Sequence, residues 1–190
     1  MTAITRNKPV IVLDRDGVIN RDSPDYIKAP DEWNALPGSL EAIAQLTANG
    51  FQVYVATNQS GIGRGLYSEA TYKTIERKML DEVASAGGKI EKVFYCPHSP
   101  DDNCDCRKPS PKLLQDVIAA TGADGSDLIM IGDSLRDLQA AESVDAQQFL
   151  VLTGNGIKTL NTLQDTGKLR EVCVYDDLAD AVDAITGDAQ

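Results

Sequence analysis

Two carboxylates, Asp14 and Asp16, lie two residues apart at the end of the first apolar run of the chain, residues 9–13. For either acid alone, a turn or helix-capping role is the simpler interpretation. Together they repel each other, and a bound divalent cation would remove that repulsion. Carboxylate oxygens suit Mg²⁺, which keeps several waters and takes one or two carboxylates together with a phosphate. The spacing therefore predicts a magnesium site for a phosphorylated ligand.

Polar residues follow other apolar runs in the same way. Asp133 comes directly after residues 128–131, and Asp137 comes one helical turn later. The remaining candidates are hydroxyl and amide residues after residues 51–56, and one cation further along: Thr57, Asn58, Gln59, Ser60 and Lys108. Because ligands of open parallel sheets bind beyond the carboxyl ends of the strands, we expect these side chains to share one site.

Three of the four cysteines and the only histidine fall within residues 96–106. Cys96, His98, Cys104 and Cys106 match a closed four-ligand Zn²⁺ site of the structural kind. Free thiols and a disulfide are the alternatives, but a bridge between Cys104 and Cys106 would be strained. The residues therefore predict a structural zinc loop over residues 96–108. Cys173, alone in an apolar run, is expected to be a buried small side chain.

Short apolar runs alternate with helical patterns along the whole chain. The runs cover residues 9–13, 51–56, 92–95, 128–131, 148–152 and 172–175. Such alternation is typical of βα units, so we expect an α/β fold with a doubly wound, mostly parallel sheet. Ser39, Ser68 and Ser110 are the expected starts of the first three helices. With 190 residues, the chain is expected to form a single domain, residues 1–190.

Charge and hydropathy exclude several function classes. The formal net charge of −11 argues against binding to nucleic acid or an anionic membrane, which requires clustered basic residues. Residues 1–8 contain no apolar export signal, and no segment is long and apolar enough to span a membrane. We expect a cytoplasmic monomer that binds a small phosphorylated molecule.

In their order along the chain, these residues resemble the four motifs of the haloacid dehalogenase-like phosphatases. The motifs match Asp14 with Asp16, then Thr57, then Lys108, then Asp133 with Asp137. The resemblance covers nearly the whole chain and implies a Rossmann-like sheet. Every insertion between strands is too short to fold alone, so no separate cap domain is expected.

The resemblance also implies a role for each residue. Asp14 would attack phosphorus and form an aspartyl-phosphate, and Asp16 would act first as general acid and then as general base. We expect the pKa of Asp16 to be raised by its acidic neighbours. Mg²⁺ would be held by Asp14, the main-chain carbonyl of Asp16 and Asp133, with Asp137 behind them. The expected phosphate and substrate contacts are Thr57, Asn58, Gln59, Ser60 and Lys108.

The cysteine loop, together with residues 57–65 (TNQSGIGRG), looks like that of the D-glycero-D-manno-heptose 1,7-bisphosphate phosphatases. These enzymes serve the synthesis of ADP-heptose for the lipopolysaccharide core. The resemblance implies removal of the 7-phosphate, with Arg107 recognising the substrate. Residues implied near the sugar are Asp22, Ser23 and Asp25. One departure is Ser134, where some relatives carry a lysine.

Three other functions remain open from the residues. Histidinol-phosphate phosphatases share the fold and a similar zinc loop. A non-catalytic phosphoacceptor domain would also be phosphorylated on Asp14, but it has no need of an acid at Asp16. A zinc-stabilised binding module would not depend on Asp14 at all.

Overall fold

The computed structural model describes residues 9–187, in which strands and helices alternate. The strands are β1 (Val10–Leu13), β2 (Gln52–Asn58), β3 (Lys92–Cys96), β4 (Leu128–Gly132), β5 (Gln147–Val151) and β6 (Val172–Tyr175). The helices are α1 (Ser39–Ala48), α2 (Ser60–Gly63), α3 (Glu69–Ser85), α4 (Lys112–Thr121), α5 (Leu135–Glu142), α6 (Gly156–Thr166) and α7 (Leu178–Thr186). Residues 1–8, where the sequence predicts no export signal, lie outside the described residues.

The six strands form one sheet in the order β3-β2-β1-β4-β5-β6, and every neighbouring pair is parallel. The predicted doubly wound α/β fold is thus confirmed. The strand order reverses at β1, which has β2 on one side and β4 on the other. Ligands of such sheets bind outside the carboxyl ends of the strands at this reversal. The residues that follow β1 and β4 are therefore the ones placed for chemistry.

Both faces of the sheet are covered, because successive side chains of a strand point to opposite faces. Ile11 and Leu13 of β1 pack on one face, in a cluster with residues of α1, α3 and α7. Val10 and Val12 pack on the other face, in a cluster with residues of α4 and α5. This double burial explains why the strands appear in the sequence as continuous apolar runs.

The longest connection between described elements, residues 14–38, crosses the carboxyl edge of the sheet. It contains only the 3₁₀ turn Pro30–Glu32 and isolated bridges. The loop is anchored by Trp33, which is fully buried in the first of the two clusters. The connection is a packed loop, in agreement with the predicted absence of a separate cap domain.

Two of the three predicted helix starts are wrong in detail. Ser68 caps α3, since its hydroxyl accepts a hydrogen bond from the N–H of Thr71 at 3.0 Å. Ser39 lies inside α1, and its hydroxyl donates to the Ile19 carbonyl at 2.7 Å. Ser110 precedes α4 and bonds to the Asp105 carbonyl. No helix within residues 9–187 is long and apolar enough to cross a bilayer.

The prediction that Cys173 is buried is also wrong. Cys173 is exposed because β6 is the last strand of the sheet and has a neighbour on one side only. An apolar run predicts a strand, but it does not reveal that the strand lies at an edge.

The core should respond strongly to truncation. Leu46 of α1 is fully buried in the first cluster, whereas Leu66 is 46% exposed. Leu46→Ala should lower the free energy of unfolding by about 2–5 kcal/mol, because it leaves a cavity. Leu66→Ala, the same change on the surface, should alter it by less than about 0.5 kcal/mol. Urea denaturation of both variants measures the difference, and equal losses would contradict this account of the core.

Candidate active site

A cleft of about 410 Å³ opens over the carboxyl ends of the central strands. Asp14 follows β1, Thr57 and Asn58 end β2, and Asp133 follows β4. Twelve residues predicted for the catalytic and substrate site line this cleft: Asp14, Asp16, Asp22, Ser23, Thr57, Asn58, Gln59, Ser60, Arg107, Lys108, Asp133 and Asp137. Asp25 does not line it. The loop that carries Asp25 turns at Ser23, whose hydroxyl accepts from the Asp25 N–H at 3.2 Å.

The ammonium group of Lys108 lies on the cleft floor between two acids. Lys108 is 1% exposed, and its Nζ donates to the Ala56 carbonyl at 2.6 Å. The same Nζ lies 3.0 Å from Asp14 Oδ1 and 2.6 Å from Asp137 Oδ1. Burial alone would lower the pKa of Lys108, but these two carboxylates raise it above its usual value, so the side chain is cationic.

Three buried acids, Asp14, Asp133 and Asp137, lie together on this floor. One oxygen from each falls within 4.8 Å of the others. Burial raises the pKa of Asp14 to about 6, with the charges of Asp137 and Asp16 adding to the effect and Lys108 opposing it. Burial, with the charge of Asp14, raises the pKa of Asp133 to about 7. The site holds more negative charge than Lys108 balances, and its oxygen donors fit a divalent cation of the hard type.

Asp133 is held in place from two sides. Its Oδ2 accepts from Asn155 N at 2.7 Å and from Asn155 Nδ2 at 3.2 Å. Gly17 and Gly154 pack so closely that a Cβ on either would lie 2.2 Å from the same oxygen. Gly17 also has φ +83, which favours glycine. Any larger residue at these positions would move the carboxylate.

Asp137 has a fixed orientation because it belongs to the N-terminal cap of α5. Ser134 is the N-cap residue, and both its N–H (3.0 Å) and its hydroxyl (2.7 Å) donate to Asp137 Oδ2. The other oxygen faces Lys108. Ser134, noted above as a departure from some relatives, therefore orients an acid of the site.

The environment of Asp16 differs from that expected. The Nη2 of Arg15 lies 2.9 Å from both carboxylate oxygens of Asp16. Asn20 Nδ2 donates at 2.9 Å and Gln59 Nε2 at 3.0 Å. Burial would raise the pKa of Asp16, but Arg15 and these hydrogen bonds outweigh burial and lower it below its usual value. The expectation of a raised pKa is wrong, because the neighbour that matters is a cation.

Arg15, Asn20 and Tyr67 are site residues that the sequence analysis missed. Arg15 is 1% exposed, and its guanidinium lies 5.7 Å from the centroid of the Tyr72 ring. Tyr67 donates to Gln59 Oε1 at 2.9 Å, and Gln59 Nε2 in turn donates to the Thr57 hydroxyl at 3.0 Å. A basic residue between two acids was a visible signal for Arg15. No local signal marks Asn20 or Tyr67, since only the fold brings them to Asp16.

Asn58 contacts Lys108 through the main chain. Its Nδ2 donates to the Lys108 carbonyl at 3.1 Å, and its Oδ1 accepts from the Lys108 N–H at 3.0 Å. Both ends of the amide are thus engaged in holding the segment that carries the lysine. The structure gives this side chain a positioning contact rather than one directed at the centre of the cleft.

The rim of the cleft is polar, and both acids and arginines line it. Asp22 Oδ2 accepts from Asn155 Nδ2 at 3.1 Å, and Ser23 lies beside it. Arg107, which was predicted to recognise the substrate, lines the cleft, and Arg64 and Arg136 line it without having been predicted. Arg64 follows α2 and Arg136 lies in α5, so no spacing pattern in the sequence links these two arginines to each other.

The three cysteines and the histidine of the loop also converge. Cys106 Sγ lies 3.0 Å from Cys96 Sγ and 3.6 Å from Cys104 Sγ, and Cys96 Sγ lies 3.6 Å from Cys104 Sγ. His98 Nδ1 is 3.2 Å from Cys106 Sγ. Tetrahedral zinc with Zn–S bonds of about 2.3 Å would separate its sulfurs by about 3.8 Å. All of these cysteines are free, which rules out the disulfide alternative in this structure.

Comparison with known proteins gives consistent results. Residues 8–145 match the family described as haloacid dehalogenase-like hydrolase. A D-glycero-beta-D-manno-heptose-1,7-bisphosphate 7-phosphatase from Pseudomonas aeruginosa is 47% identical over 179 residues, which are 94% of this chain and 98% of the relative. The enzyme of the same name from Bordetella bronchiseptica is 52% identical over 151 residues, 80% of this chain and 84% of the relative.

Solved structures agree with the sequence relatives. The D,D-heptose 1,7-bisphosphate phosphatase of B. bronchiseptica, complexed with magnesium and phosphate, superimposes with a TM-score of 0.90 at 46% identity, covering 95% of this chain and 99% of that one. The corresponding phosphatase of Burkholderia thailandensis gives a TM-score of 0.72 at 42% identity, covering 92% and 96%. The chain therefore belongs to the haloacid dehalogenase-like hydrolases, within the family of the heptose-1,7-bisphosphate 7-phosphatases.

Proposed function

We propose that this protein is a phosphatase that removes the 7-phosphate of D-glycero-D-manno-heptose 1,7-bisphosphate through an aspartyl-phosphate on Asp14. The main support is the cleft floor, where Asp14 lies beside Lys108, Asp133 and Asp137. The relatives compared above carry the name of this activity. The substrate would serve the synthesis of ADP-heptose for lipopolysaccharide.

Magnesium fits the acidic floor. Asp14, Asp133 and the main-chain carbonyl of Asp16 would hold the ion, with Asp137 fixed behind them by Ser134 and Lys108. When bound, the ion supplies positive charge that lets a carboxylate approach an anionic phosphate. The related structure from B. bronchiseptica is described with magnesium and phosphate, which agrees with this assignment.

Each step of the reaction has a residue to carry it. Asp14 attacks phosphorus, the bond to the sugar oxygen breaks, and Asp16 protonates that oxygen as it leaves. Asp16, now a carboxylate, takes a proton from water, and the resulting hydroxide releases phosphate from Asp14. Lys108 and the hydroxyl of Thr57 stabilise the phosphoryl oxygens, which is how most of the rate arises in phosphoryl transfer.

The contact with Arg15 bears on the two roles of Asp16. The lowered pKa keeps Asp16 ionised, which is the form needed to deprotonate water. To act as an acid, Asp16 must first be protonated, which requires the pairing with Arg15 to weaken. Asn20 and Gln59 can hold the carboxyl in place while that happens, because both are neutral donors.

The rim favours a second anionic group over a cationic one. Histidinol phosphate carries an ammonium group, which the rim arginines would repel, whereas a bisphosphate presents a second anion to them. Asp22 and Ser23 would contact the sugar hydroxyls, with Arg107 nearby. A non-catalytic phosphoacceptor role has no use for the set of contacts around Asp16.

We also propose that Cys96, His98, Cys104 and Cys106 bind structural Zn²⁺. The loop that would close on the ion continues directly into Arg107 and Lys108. It is tied to the β2 connection, since Gln59 N donates to the Cys96 carbonyl at 2.7 Å and Gly63 N to the Pro97 carbonyl at 2.8 Å. The ion would thereby fix two cations of the site without contacting the substrate.

The remaining expectations stay as proposals. One domain is proposed for residues 1–190, and a monomer suffices, because a single chain supplies every residue of the cleft. Zinc-bound thiolates without disulfides suit a reducing compartment, so we propose a cytoplasmic location.

Substitutions of Asp14 and Asp16 can distinguish the role of nucleophile from the role of proton carrier. Asp14→Asn should abolish phosphate release from heptose bisphosphate, with a loss on the order of 10⁴-fold or more. Asp16→Asn should lose about 10²–10⁴-fold, since it removes acid–base catalysis. With an aryl phosphate, whose leaving group needs no acid, Asp16→Asn should accumulate a phosphoenzyme detectable by intact mass spectrometry.

Asp25→Asn is the matched control, because Asp25 lies on the same loop as Asp22 but does not line the cleft. Its turnover should stay near that of the wild type. Unchanged turnover in Asp16→Asn would instead favour the phosphoacceptor function. Faster hydrolysis of histidinol phosphate than of heptose bisphosphate would reassign the substrate.

Stability should depend on pH and magnesium together. Because burial raises the pKa of Asp14 to about 6 and that of Asp133 to about 7, from the usual 3.8, both acids stabilise the fold below about pH 4. That contribution is lost as pH rises through 6 to 7, when both must ionise. In EDTA, ionisation of Asp14 and Asp133 should therefore make Tm fall as the pH rises from about 5 to about 8. Added magnesium should raise Tm more at pH 8 than at pH 5.

Thermal unfolding of the wild type and of Asp133→Asn, with and without magnesium, measures this effect. The variant should show a smaller magnesium-induced shift and a flatter pH dependence. An equal magnesium-induced shift at both ends of the pH range would contradict the assignment of the ion to these acids.

The zinc proposal predicts that substitutions of two cysteines, Cys104 and Cys173, differ in their effect on zinc content and activity. Cys104→Ser should reduce bound zinc and lower the activity, because the loop that carries Arg107 and Lys108 would lose a ligand. Cys173→Ser, the same change at an exposed strand position, should leave both unchanged. Elemental analysis of the purified variants, together with phosphate release, provides the test. Full zinc content in Cys104→Ser would refute the ligand set.

A further inference from the structure

Three arginines reach the rim of the cleft from different connections. Arg64 ends α2, Arg107 directly follows the last cysteine of the loop, and Arg136 lies in the first turn of α5. All three line the same cleft as Asp14. Among residues 9–187, no ion pair joins any of them to a carboxylate.

The arginines are close enough to affect one another. Burial lowers the pKa of Arg107, and the charges of Arg136 and Arg64 lower it further. Like charges held together raise the free energy of the site, and a bound anion would lower it. In a chain with a net charge of −11, such a basic rim is a local feature rather than a consequence of overall composition.

Two of the three arginines also line a second cavity beside the cleft. Arg107 and Arg136 also line a hollow of about 380 Å³ against the cysteine loop, next to the cleft. Arg64 does not line this hollow. Arg107 and Arg136 therefore border both the cleft and the hollow, which together could admit a bulky anion.

We propose that Arg136, together with Arg107, binds the phosphate group of the bisphosphate substrate that is not transferred. This inference rests on the proposed function and extends it to a residue that sets specificity. A guanidinium presents its donors as a planar fork that matches phosphate oxygens, and two forks from different elements can hold one dianion. With one phosphate held there, the other end of the sugar would lie over Asp14.

The test compares two substrates that differ only in the second phosphate. Heptose 1,7-bisphosphate and heptose 7-phosphate are hydrolysed by the wild type, Arg136→Gln and Arg136→Lys. Arg136→Gln should lower kcat/KM for the bisphosphate by about 10- to 100-fold, the range expected for losing hydrogen bonds to a charged group. It should leave kcat/KM for the monophosphate unchanged, which also shows that the variant is folded. Arg136→Lys should recover part of the loss, because it keeps the charge but not the fork.

Lys158→Gln is the matched control for loss of a nearby charge. Lys158 shares a separate hollow of about 280 Å³ with Arg136 but does not line the cleft. This variant should treat both substrates as the wild type does. An equal loss on both substrates in Arg136→Gln, or the same bisphosphate-specific loss in Lys158→Gln, would overturn the inference.

The failure of the proposed function is a distinct result. In that case the wild type itself would release no phosphate from the bisphosphate, and the inference would fall with it. A wild type that hydrolyses the bisphosphate, but no faster than the monophosphate, would refute the inference alone. If the wild type prefers the bisphosphate and Arg136→Gln keeps the full preference, only the role of Arg136 is refuted.

Discussion

The buried ammonium group of Lys108 is the contact on which the catalytic floor depends. It pairs with Asp14 and Asp137 and donates to the Ala56 carbonyl, so it links the end of β1, strand β2 and helix α5 to the connection after β3. A lone buried charge is unfavourable, and removing one partner of a buried pair leaves the other uncompensated. The lysine and the acids can therefore be buried only together, and Asp133 adds a charge that a divalent cation can balance.

Two acids two residues apart have opposite environments in this protein. Asp14 is buried among other acids, and its pKa is raised, whereas Asp16 is held by Arg15 and two neutral donors, and its pKa is lowered. Pairs of titratable groups whose pKa values are moved apart are a common basis for dividing catalytic roles. Here the two pKa values move apart because Asp14 is buried beside other acids, whereas Asp16 faces Arg15.

The loops at the rim of the cleft are joined by hydrogen bonds to those that form its floor. Asn58 holds the main chain of Lys108, and Gln59 links Asp16 to Thr57 and Tyr67. The cysteine loop bonds to the same β2 connection and carries Arg107. A displacement of any of these loops would therefore move both the rim and the floor, although the cysteine cluster itself adds no carboxylate to that floor.

The sequence by itself determined the α/β class, the order of the strands along the chain, the motif acids and the grouping of three cysteines with the histidine. These features are local, since buried parallel strands appear as apolar runs and the motif residues follow them directly. Only the tertiary structure decided that Arg15 pairs with Asp16, that Asn58 holds Lys108, that Asp25 lies off the cleft and that Cys173 is exposed on an edge strand. It also decided that Arg64 and Arg136 join Arg107 at the rim. The physical reason is that charge pairing and burial depend on which connections meet in space, and residues far apart in the chain carry no local signal of that meeting.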